Sequence, residues 1–101
     1  MVSLISPSDS PIEKIPYQGP IKRSVMIAGH STSVSLEPIF WHALEQAAYQ
    51  KQLPLNALIA QIDAERMLAE IPPNLASALR VWLFFYYQKK NLLEEFSAKT
   101  F

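Results

Sequence analysis

At 101 residues, half of them hydrophobic and 18% charged, the chain holds enough apolar material for one folded domain and too much for a disordered one. Nine lysines and arginines balance nine aspartates and glutamates, which excludes a protein that coats any polyanion by bulk charge and leaves nucleic-acid binding to a local patch. The absence of cysteine excludes disulfides, thiolate zinc sites and a cysteine nucleophile.

The first residues, Met1 to Pro7, lack the basic start and long apolar run of a secretory signal, so the expected location is the cytoplasm. Residues 1–20 carry Pro7, Pro11, Pro16 and Pro20 among several serines. Proline and serine at this density interrupt helices and favour turns, and the segment is expected to be a flexible arm outside the core.

From Lys22 to Leu36 the pattern becomes alternating. Val25 and Ile27, then Thr32, Val34 and Leu36, are interleaved with Ser24, Met26, Ser31, Ser33 and Ser35, the period of two of a half-buried strand. Ala28-Gly29-His30 can turn the chain, Gly29 supplying a positive φ if one is needed. A short hairpin and a single strand preceded by an extended arm fit equally well.

Three helices are expected next. Pro38 suits the first turn of one, with Glu37 near the positive end of its dipole. Phe40, Leu44, Ala47 and Ala48, with Trp41 beside them, form its apolar face, while Glu45, Gln46 and Gln50 look outward. Gln52-Leu53-Pro54 ends it, because the residue before proline is pushed out of the helical region. The second runs from Leu55 to about Met67 on Leu55, Leu58, Ile59 and Ile62, and Pro72-Pro73 stops it. Asn74 is a good cap for a third, Leu75 to about Gln88, carried by Leu75, Ala78, Leu79, Trp82, Phe85 and Tyr86. Residues 91–101 form a tail that continues this helix or frays from it.

The aromatic run in that helix, Val81 to Tyr87, lies between Arg80 and Lys89-Lys90 and falls well short of the roughly 20 residues that span a bilayer. Its aromatic rings exceed what one helix face buries in a monomer, which points to dimer core or to a groove for a protein partner. His30 and His42 do not share a ligand face, so no metal or other cofactor is expected. Ser77 lies within a helix without a nucleophile elbow or matched base, so the chain does not read as an enzyme.

A strand of alternating small polar and apolar residues leading into two helices joined by a short turn resembles the ribbon-helix-helix fold. The similarity is carried by Lys22-Arg23-Ser24-Val25, Ala28-Gly29-His30, Thr32 to Glu37, Phe40-Trp41, Leu55 to Ile59, Ile62-Asp63 and Asn74 to Val81. Together these resemble a bacterial family of stand-alone ribbon-helix-helix domains with the DNA-binding fold of the methionine repressor, over about residues 21–88. The resemblance implies a mainly helical, intertwined homodimer with a short N-terminal β-ribbon and an added C-terminal helix. Its domain would span 21–90.

The implied function is transcription regulation, with the ribbon inserted in the major groove of double-stranded DNA. One strand from each subunit would form the ribbon, with Val34 and Leu36 in the shared core and Ser31, Ser33 and Ser35 at base edges. The amides of Leu55 and Asn56, opening the second helix, would meet phosphate, and Lys22 and Arg23 would supply charge beside the groove. Relatives commonly carry a basic residue where this chain has Ser31, and glycine followed by a serine or threonine cap where it has Gln52 and Pro54. A dimeric protein-interaction adaptor on the same fold, binding DNA weakly or not at all, is the alternative function.

Overall fold

The computed structural model describes residues 14, 15 and 17–100, side chains 90, 93 and 96–100 excepted. Most of the proline-rich arm lies outside the described residues, and Tyr17 to Pro20 lead into the fold as exposed backbone without regular structure. Two strands, β1 (Ile21–Ile27) and β2 (His30–Leu36), are followed by α1 (Pro38–Gln50), α2 (Leu55–Met67) and α3 (Leu75–Thr100).

Of the two readings of the first segment, the hairpin is the one adopted. β1 and β2 pair antiparallel, with Ile27 opposite His30 and Ile21 opposite Leu36. Ala28 and Gly29 make the two-residue connection with φ of 51° and 82°. Positive φ at both central residues matches the right-handed twist of the flanking strands. Within one chain, the ribbon is made of β1 and β2.

Alternation along both strands puts one set of side chains against the helices. Val25, Val34 and Leu36 pack with Trp41, Leu44, Ala47 and Ala48 of α1, Leu58, Ile59 and Ile62 of α2, and Leu79 and Leu83 of α3. Two apolar assignments differ from the sequence expectation. Phe40 is only half-buried, and Trp41 takes the core position on that turn. In α3, Phe85 is exposed and Leu83 is buried in its place, because the helix meets the ribbon and α2 along Leu79 and Leu83 rather than along its widest aromatics.

The helix ends follow from local chemistry. α1 opens at Glu37 and Pro38 without a side-chain cap. It closes with Leu53 N–H donating to Ala48 O at 2.9 Å and Gln52 N–H to Tyr49 O at 3.0 Å. This pair of bonds normally has glycine at its left-handed residue, and here Gln52 adopts φ of 58°. α3 is capped by Asn74, whose Oδ1 accepts from Ser77 N–H at 2.8 Å. It continues as one helix to Thr100, past position 90, and its 26 residues span about 39 Å, twice the length of α1 or α2.

Candidate nucleic-acid interface

The register decides which side chains share the exposed face of the ribbon. Opposed residues in an antiparallel pair lie on the same face, so Lys22, Ser24 and Met26 of β1 stand with Ser35, Ser33 and Ser31 of β2. All six are exposed. The other face holds Ile21, Arg23, Val25 and Ile27 with Leu36, Val34, Thr32 and His30.

Lys22 and Arg23 are thereby separated. Both are expected to supply charge beside the groove; Lys22 lies on the outward face of the ribbon, whereas Arg23 lies on its helix-facing side. Its guanidinium lies 4.6 Å from the Trp41 ring centre and reaches Glu45 Oε2 at 3.4 Å. Trp41 is itself fixed by donating from Nε1 to Ile21 O at 2.9 Å, and the stacked arginine covers the ring at the rim of the core.

The start of α2 lies beside the outward face. Pro54 provides no side-chain cap, and Leu58 N–H to Pro54 O at 3.1 Å is the first bond of the helix, so the amides of Leu55, Asn56 and Ala57 have no partner within it. Asn56 Oδ1 accepts from Met26 N–H at 3.3 Å. That bond ties the positive end of α2 to the outer edge of β1, next to the outward side chains. Sequence reasoning missed Ser24 and Met26 as members of this surface and Asn56 as its brace. The signal was available in the two-residue turn, which places Met26 opposite Ser31.

The opposite edge of the ribbon is open. In a hairpin with a two-residue turn the residues flanking the turn exchange hydrogen bonds, and pairs alternate from there. The amides and carbonyls of Ser31, Ser33 and Ser35 therefore point away from β1, and no described residue bonds to them.

Behind the ribbon, Glu37 joins the end of β2 to α3. Its Oε1 accepts from Arg80 Nε at 3.1 Å and Nη2 at 2.9 Å. Hydrogen bonding with its own backbone amide, and then with Arg80, holds the Glu37 carboxyl below the usual carboxylate range. Arg80 also lies over Phe40, 5.7 Å from the ring centre, at a groove of about 390 Å³ between α1 and α3 lined by Ile39, Leu83 and Phe84 among others. Among the described residues no three His, Asp or Glu side chains cluster as a metal site would need, and no helix is long and apolar enough to cross a membrane.

A family model for the ribbon-helix-helix domain matches residues 20–87. The chain belongs to the ribbon-helix-helix family. The match spans the hairpin, α1, α2 and the first half of α3, and the family is a non-enzymatic one whose members typically bind DNA as dimers and regulate transcription. No curated protein and no solved structure matches the chain.

Proposed function

We propose that this ribbon-helix-helix protein is a sequence-specific transcriptional regulator of the cytoplasm, working as a homodimer that lays its outward ribbon face in the major groove of double-stranded DNA. The observation that carries the reading is the register. It collects Lys22, Ser24, Met26, Ser31, Ser33 and Ser35 on one exposed face and sets the uncapped amides of Leu55 and Asn56 beside it. Serine hydroxyls and a lysine contact base edges and phosphate, and free helix amides hold phosphate.

Dimerisation is supported by the open edge of β2, a template for a second β2 strand, and by Val81, Phe84, Phe85 and Leu92 exposed along α3. Two copies joined edge to edge through β2 would double the outward face without changing its chemistry.

A second reading, a dimeric adaptor, draws on the apolar groove between α1 and α3 and on the aromatic surface of α3, which suit a protein partner. Titration of the purified protein against fluorescent duplexes over a salt series separates the two. Regulator function predicts a dimer by sedimentation and an affinity that falls linearly with salt on logarithmic axes. A folded monomer, or a dimer that binds no duplex at low salt, overturns the proposal.

A further inference from the structure

We infer that Met26 is the side chain through which the ribbon discriminates between bases, and that it recognises the 5-methyl group of thymine. This rests on the outward face being the DNA-reading surface. Four of the six side chains on that face are serines. A serine hydroxyl both donates and accepts, so it makes a bond with almost any base edge and conveys little about which base is present. Lys22 presents a mobile point charge that phosphate satisfies as well as guanine.

Met26 differs from these five in kind. It is 49% exposed and is the one apolar side chain on the face. It lies opposite Ser31 and belongs neither to the core cluster nor to the partly buried side chains packed against it. Its backbone is held in place by the 3.3 Å bond from Met26 N–H to Asn56 Oδ1, which fixes it relative to the α2 amides proposed to hold phosphate.

Among the groups displayed in the major groove, the apolar one is the thymine methyl. An unbranched, polarisable side chain adapts readily to such a group. Met26 lies four residues from Lys22 on the same strand, about 13 Å away at strand rise.

The test uses a duplex selected for binding by the full chain, with its thymines replaced one at a time by uracil, which pairs identically but lacks the methyl. At one position the wild-type protein should bind the uracil duplex about fourfold more weakly, the weight of one buried methyl group. Met26→Ser should bind the thymine duplex more weakly and make no distinction between thymine and uracil there. Met26→Leu should retain the distinction. Thermal melting confirms that both variants are folded.

Equal wild-type affinity for every uracil duplex overturns the assignment to Met26, as does discrimination that persists in Met26→Ser. In both cases DNA binding itself continues, and the reading of the ribbon as a DNA surface stands. Failure of the folded wild-type protein to select any duplex instead removes that reading and the role of Met26 with it.

Discussion

The two faces of the ribbon are built from neighbouring residues of the same strands, yet they are opposite in chemistry. Toward the helices, Val25 and Val34 are 4% exposed and Leu36 is fully buried. Toward solvent, the six side chains include four serines and no residue of the core cluster. Since the strand period is two, a shift of one residue exchanges the faces completely. Burial on one face fixes the ribbon's register and leaves the other face free to be selected for binding.

The largest test breaks the buried face. Val34→Asp would place an unpaired carboxylate among Leu36, Leu44 and the α2 leucine and isoleucines, at a cost of about 3 to 5 kcal/mol, a large share of the stability of a small domain. Loss of the cooperative unfolding transition by circular dichroism is the expected outcome. A folded Val34→Asp protein at micromolar concentration would place residue 34 outside the core.

Arginine at two adjacent positions sharpens the contrast. Ser31→Arg adds a long cation to the outward face and should raise DNA affinity by on the order of 1 to 3 kcal/mol through a guanine or phosphate contact. Thr32→Arg, on the helix-facing side, should lower the melting temperature instead. Fluorescence anisotropy on a mixed-sequence duplex and thermal melting read the two effects. A folded, dimeric Ser31→Arg protein with unchanged DNA binding would favour the adaptor reading.

Separate substitution of the two basic neighbours divides the faces again. Lys22→Ala should weaken binding to all duplexes and reduce the salt slope by up to about one unit, with little effect on melting. Arg23→Ala should leave that slope unchanged and lower stability through the lost cover on Trp41. Equal loss of salt slope in both variants would show that Arg23 swings round to the DNA.

Smaller effects are expected behind the ribbon. Gln52→Gly should raise stability by about 1 kcal/mol, because glycine adopts the left-handed conformation without the clash that a β-carbon brings. Denaturant titration should show a higher midpoint at unchanged slope.

The link between Glu37 and Arg80 should be acid-sensitive. The Glu37 carboxyl titrates below its ordinary 4.5 in the folded chain, so its contribution is present above that pH and lost as pH falls through the depressed value. Glu37→Gln should therefore be less stable than wild type near neutrality, and the gap should narrow on acidification. A gap that is constant from pH 6 to 3 would show that the ionised carboxylate adds nothing.

Much of this architecture was legible from local pattern. Alternation over residues 22–36, Pro38 at a helix start, Pro54 at the end of α1, and Asn74 as a cap each act over a few residues, where backbone sterics and side-chain period leave few choices. The exposed placement of Ser31, Ser33 and Ser35 followed from that period alone, as did the burial of Val34 and Leu36.

What periodicity could not determine was which strand would pair with β2, since a hairpin and a strand from a second chain present the same alternation. The pairing of β1 with β2 brought Ser24 and Met26 onto the outward face and turned Arg23 away from it. Phe40 against Trp41, and Phe85 against Leu83, were likewise settled by where neighbouring elements pack, since a helix carrying apolar residues on most of its surface does not declare which stripe is inside. Composition, strand period and helix boundaries belong to this sequence by itself, because they arise from sterics and burial within one segment. Strand partnership, the meeting of α2 with β1 at Asn56 and Met26, and the choice of buried aromatic depend on contacts between segments distant in the chain, and only the tertiary structure decided them.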